Sequence, residues 1–275
     1  MKKLWLLAIA VLIISSFTPK KEVSWVAIGD SITYLNDHLN ETGNRVTKGY
    51  MTRVTEQLPN IHFTNQGHNG WTSIGIANEI EKLGITKADV YTIFLGTNDW
   101  WSGQKVGTIK DYTDNTGTGT TSGAFRVIVD KLRGLNPDAK IILITPMQRT
   151  DFVYIADKNN NAWGSYKEKN GQTLAQFVAA INAIGKQEHF KVIDLYNKSG
   201  MAVNKLVKYK YLKDPQTSQY RKYTYPDYTN ISFNPQTDEY PYPLDAVAFT
   251  YDGLHPSDSG YQVIADMLLK VMKGL

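Results

Sequence analysis

Short apolar runs alternate along the chain with stripes of apolar residues at helical spacing. The runs are Val23 to Ile28, Ile61 to Asn65, Asp89 to Leu95, Ala139 to Thr145 and Phe190 to Leu195, rich in β-branched and aromatic residues. Runs of this length and composition predict buried parallel strands. Between and after them, Phe125, Ile128, Val129 and Leu132, then Leu174, Phe177, Val178 and Ile181, and finally Ile264, Leu268, Val271 and Met272 recur every three or four residues. Each set predicts a helix with one apolar face. The alternation predicts an α/β fold, a three-layer α/β/α sandwich around a central, mostly parallel, five-stranded sheet. In such folds ligands bind at the carboxyl ends of the strands.

The first residues follow a different pattern. Lys2 and Lys3 precede an apolar run from Leu4 to Ile14, and Ser15 and Ser16 follow it. That is the layout of a secretory signal peptide, expected over residues 1–21, with no clean A-x-A pattern after the apolar run to mark the cleavage point. The run is shorter than the roughly 20 residues that span a bilayer. The rest, 22–275, is expected to be one domain, secreted to the periplasm or beyond, with no stable membrane insertion once the leader is removed. The absence of cysteine rules out a disulfide and a lipid-modified cysteine.

Export also changes the charge. Of the 30 Lys and Arg residues, Lys2, Lys3, Lys20 and Lys21 lie in the leader, so the mature chain carries 26 basic and 26 acidic residues. Neither net charge nor any basic cluster supports a nucleic-acid partner. His38, His62 and His189 have no metal-ligand spacing, and neither phosphate-binding glycine motif is present, so no metal or cofactor is expected.

Candidate chemistry collects at the predicted strand ends. The first strand runs into "GDSIT", which puts Asp30 and Ser31 at its carboxyl end; the second is followed by "NQGHNG" and the third by "GTND". Asp and Ser are also preferred helix caps, and Gly, Asn and Asp are common turn formers, so each block alone is weak. No serine is flanked as in G-x-S-x-G, which disfavours an α/β-hydrolase elbow. Near the end of the chain, "YDGLHPSDSGY" places Asp252 three residues before His255, with Pro256 and Ser257 preceding the last helix. Acyl transfer by serine needs a base, an acid to orient it and donors for an oxyanion. Ser31, His255 and Asp252 supply the first set; the Ser31 and Gly70 amides and the Asn98 side chain can supply the donors.

"GDSIT", "NQGHNG", "GTND" and "DGLHP", in this order, resemble the four motif blocks of the SGNH, or GDSL, hydrolase family. The resemblance covers 23–100 and 248–275, with the element pattern in between to about 195. It implies a flavodoxin-like sandwich, a serine esterase, Ser31 as nucleophile, His255 as base with Asp252 behind it, and Ser31, Gly70 and Asn98 around the oxyanion. His68 stands where the family commonly has a small residue. Asp30, His68, Trp100 and Trp101 are the candidate substrate contacts.

Three stretches exceed a minimal version of such a fold, at about 100–121, 147–171 and 199–245, all leaving strand ends on the presumed active-site face. The last holds eight tyrosines and contains an echo, "DPQTSQY" and "NPQTDEY", that predicts a pair of similar turns. The expected function is hydrolysis of a carboxylic ester, with acetyl on a carbohydrate as the leading substrate and a small-molecule or glycan ester as the partner. A lipase, lysophospholipase or thioesterase is the alternative enzyme. A glycan-binding module on a retired hydrolase scaffold is the alternative outside enzymes.

Overall fold

The computed structural model describes residues 20–274, so almost all of the expected leader lies outside the described residues. Among them the strands are β1 (Val23–Gly29), β2 (Ile61–Gly67), β3 (Val90–Phe94), β4 (Lys140–Ile144), β5 (Phe152–Val153), β6 (Asn161–Ala162), β7 (Lys191–Ile193), β8 (Lys210–Lys213) and β9 (Tyr220–Tyr223). Five of them form the main sheet in the order β2-β1-β3-β4-β7. Every neighbouring pair in it is parallel, so the sheet is wholly rather than mostly parallel.

The register explains why the motif blocks meet. Gly29 pairs with Gly67 on one side and with Phe94 on the other, and Phe94 pairs with Ile144. The four loops that follow β1, β2, β3 and β4 therefore leave the same edge of the sheet at the same level.

Side chains alternate across a strand, and both faces of this sheet are covered. Trp25 and Ala27 enter one core layer with Tyr50, Met51, Ile264 and Leu268, from helices Tyr50–Gln57 and Asp258–Met272. Val26 and Ile28 enter the other with Phe125, Ile128 and Ile181, from helices Thr121–Leu135 and Leu174–Glu188. This is why the strand runs read as continuously apolar. Burying each such side chain contributes roughly 1.5 to 3 kcal/mol.

The echoed segments are two copies of one turn. Asp214 accepts from the Gln216 amide through its side chain (2.9 Å) and from the Ser218 amide through its carbonyl (2.9 Å). Asn234 does the same with Gln236 (3.0 Å) and Asp238 (2.9 Å). The first copy closes the antiparallel β8-β9 hairpin. The eight tyrosines of this insertion are buried or half-buried, several of them in a small cluster with Val153, Val207 and Leu212. None is exposed: Tyr228 accepts from Thr150, Tyr240 and Tyr242 donate to the Val153 and Asp151 carbonyls of the loop after β4, and Tyr211 and Tyr220 stack on each other within the insertion.

Candidate active site

β1 ends at Gly29, and the chain turns at once into a short helix, Ser31–Tyr34, capped by Asp30. The Asp30 carboxylate accepts from the Ile32 amide at 3.0 Å, which fixes Ser31 as the first helical residue at the sheet edge. The cap and the candidate nucleophile are thus adjacent parts of one device, and Asp30, expected as a substrate contact, lies beneath the site without lining its cavity. Burial pushes the Asp30 carboxyl up to about 6, against the opposing pull of the Ile32 hydrogen bond. A raised carboxyl favours the folded state most below its unfolded value, and that contribution is lost as pH rises through the folded value. Asp30→Asn keeps an acceptor but removes the titration. Urea unfolding is expected to show the variant gaining on the wild type between pH 4 and 7, by up to about 3 kcal/mol; a pH-independent difference would refute this.

Asp252 and His255 share one tight loop. One oxygen of the Asp252 carboxylate accepts from the amides of Leu254 (3.0 Å) and His255 (2.7 Å), and the other lies 2.7 Å from His255 Nδ1. His255 Nε2 lies 2.9 Å from Ser31 Oγ. A neutral imidazole held this way carries its proton on Nδ1 and leaves Nε2 to accept from the serine. The loop is clamped by the strand beside it, with Thr150 donating to the Gly253 carbonyl (3.0 Å) and Val153 to that of Asp252 (3.1 Å). Gly253 has φ +93°, and a Cβ there would stand 2.0 Å from the Asp151 carbonyl oxygen, so only glycine fits. Phe152 meets the His255 ring edge-on at 5.3 Å and Tyr251 stacks on it at 5.9 Å. Ser257 then caps the last helix, donated to by Gly260 at 3.4 Å. Ser31, Asp252 and His255 are 7%, 0% and 6% exposed, so the relay is dry except where it meets the cavity above it.

That cavity, about 230 Å³, is lined by Ser31, His255, Gly70 and Asn98 together with residues of the longer loops. Gly70 has φ +77° and nothing near its missing Cβ, so its glycine requirement comes from the backbone conformation. Among the described residues neither the Ser31 nor the Gly70 amide donates to a protein acceptor. Asn98 uses one side-chain hydrogen on the Trp71 carbonyl (3.0 Å), which orients the amide and leaves the second hydrogen free. Fully buried Asp99 ties the two loops together, accepting from the Ser73 amide (2.9 Å), the Ser73 hydroxyl (2.5 Å) and the Thr121 hydroxyl (3.2 Å).

The other candidate contacts separate. Trp101 lines the cavity; Trp100 is fully buried, and its indole N–H donates to the Gln172 carbonyl at 2.9 Å, so it is core and not a substrate contact. His68 packs against Trp71 at 4.7 Å with its Nε2 buried and unpartnered, and it does not line the cavity either. Arg149, Phe152, Tyr154 and Asn160 do line it, all from the loop after β4, and none was singled out in the sequence. A second cavity of about 430 Å³ adjoins the first through Phe152 and Ala162, and the 199–245 insertion contributes Thr229 to Phe233 to its wall. Among the described residues no group of three His, Asp or Glu side chains is placed to hold a metal ion.

The sequence model of the GDSL-like lipase/acylhydrolase family matches residues 27–263, a span that includes every element of the site just described. The chain belongs to that family. It is therefore an ester hydrolase of the GDSL type. A crystal structure described as a possible lipase from Chitinophaga pinensis is 59% identical, covers 92% of this chain and 98% of its own, and superposes with a TM-score of 0.91. An acetyl-xylooligosaccharide esterase mutant from Geobacillus shares 18% identity over 92% of this chain and 95% of its own, with a TM-score of 0.53, a likeness of fold. No curated protein matches the chain.

Proposed function

We propose that this GDSL hydrolase is a secreted serine esterase that removes a small acyl group, acetyl in the leading case, from a carbohydrate. The observation that carries the mechanism is the unbroken line from Asp252 through His255 to Ser31 at the floor of the 230 Å³ cavity. Ser31 attacks the ester carbonyl, and His255 takes its proton and returns it to the departing alcohol. Water then repeats the cycle on the acyl-enzyme. The Ser31 and Gly70 amides and the free hydrogen of Asn98 receive the oxyanion. Asn98→Ala is expected to lower kcat by roughly 10² to 10³ with little change in KM, and an unchanged kcat would remove Asn98 from the site.

The substrate class rests on the cavity wall. Asn69, Ser102 and Asn160 share the wall with Trp101 and Phe152, a mixture suited to a hydroxylated ring, and the adjoining 430 Å³ space leaves room for a larger alcohol. Secretion rests on the leader-like first residues. The lipid-ester reading is favoured by the description given to the 59% identical structure. A series of 4-nitrophenyl esters from acetate to palmitate, run beside acetylated xylose and glucose, separates the two. Highest kcat/KM on acetyl esters supports the proposal; a preference for long chains would replace it with a lipase.

A further inference from the structure

Arg149 is 1% exposed, yet it forms no ion pair with a carboxylate among the described residues. The two acids whose charge bears on it are engaged elsewhere, Asp151 by Lys210 and Asp252 by His255. Its guanidinium lies over the rings of Trp100 and Trp101, with centroid distances of 4.8 and 5.0 Å. Nε and Nη2 both donate to the Trp163 carbonyl, at 3.3 and 2.9 Å. These bonds occupy one side of the guanidinium. Among the described residues Nη1 has no acceptor, yet it is not sealed inside the fold. The residue lines the catalytic cavity with Ser31 and His255, so the unused edge of the fork, Nη1 with the second hydrogen of Nη2, is open to that space.

A buried cation without a counter-ion is costly unless a partner arrives. Burial lowers the Arg149 pKa only to about 10, so the group stays charged at neutral pH. The planar edge of a guanidinium matches a carboxylate in two parallel hydrogen bonds, and the aromatic rings behind it hold that plane in place. We propose that Arg149 is the anion-recognition residue of the catalytic cavity, and that the preferred substrate is an ester bearing a carboxylate within reach of Ser31. The inference rests on the esterase reading of the same site.

The carboxylate can belong to the alcohol or to the acyl group, and two pairs of substrates distinguish them. Acetylated glucuronate against acetylated glucose tests the alcohol; mono-4-nitrophenyl glutarate against 4-nitrophenyl pentanoate tests the acyl chain. The expected result is at least about tenfold higher kcat/KM for the charged member of one pair, expressed mainly in KM, as a charge-assisted bidentate contact provides. Arg149→Met should erase that ratio, and Arg149→Lys, which keeps the charge but not the fork, should retain only part of it. If the wild type hydrolyses both members of each pair equally, or if the preference survives in Arg149→Met, the inference fails while the esterase reading stands. If no ester is turned over, the esterase reading has failed instead. Should Arg149→Met not fold, the wild-type ratio and the lysine variant still decide.

Discussion

Ser31→Ala is expected to abolish ester hydrolysis, with kcat falling on the order of 10⁶-fold, the scale seen when the nucleophile of a serine relay is removed. The hydroxyl makes one side-chain hydrogen bond, to His255 Nε2, and contributes little to packing because Ile32 supplies the short helix's apolar contact with the core. The Asp30 cap binds the Ile32 amide and not the serine side chain, so it survives the change. Circular dichroism and the unfolding midpoint should therefore stay close to wild type while turnover disappears. A serine-directed phosphonate should label the wild type at Ser31 and leave the variant unmodified. Wild-type turnover in Ser31→Ala would end the assignment, since no other group on the cavity floor is paired with His255.

Much of this arrangement is legible from the residues because it depends on the strand ends. Five apolar runs fix five strands, a parallel sheet aligns their carboxyl ends, and the register of Gly29 with Gly67 and Phe94 brings the first three blocks level. The three-residue step from Asp252 to His255 is short enough for one carboxylate to hold both the backbone and the ring. The cavity walls are another matter. Arg149, Phe152, Tyr154 and Asn160 sit around two-residue strands with no periodicity, and what aims them is the β5-β6 pairing and the Trp163 carbonyl, neither of which leaves a pattern in sequence. Trp100 and Trp101 look equivalent as neighbours, but successive helical positions point about 100° apart, so one enters the core and the other the cavity. The packing of the insertion tyrosines leaves no pattern either, since their cluster joins Val207 and Leu212 of the insertion itself to Val153 from the distant loop after β4. His68 follows the same logic, its orientation being set by Trp71.

Asp252→Asn is the second large expected effect, and its cause lies in which atoms face which. In the wild type one carboxylate oxygen receives two backbone N–H groups while the other faces His255 Nδ1. Asparagine can satisfy only one side. With its oxygen toward the Leu254 and His255 amides, its NH₂ faces Nδ1, which must then accept, so the ring proton moves to Nε2 and the imidazole can no longer take the proton of Ser31. Turned over, the NH₂ would oppose two backbone donors in a fully buried position, which costs the loop two hydrogen bonds. The first arrangement is the stable one, and it holds the wrong tautomer. It also removes the buried negative charge that stabilises the imidazolium formed during attack. A loss in kcat of about 10⁴-fold is expected, with KM little changed, because the tautomer matters only once the proton moves. A drop smaller than about tenfold, in a variant whose unfolding midpoint matches wild type, would show that Asp252 merely braces the loop and that another group sets the protonation of His255.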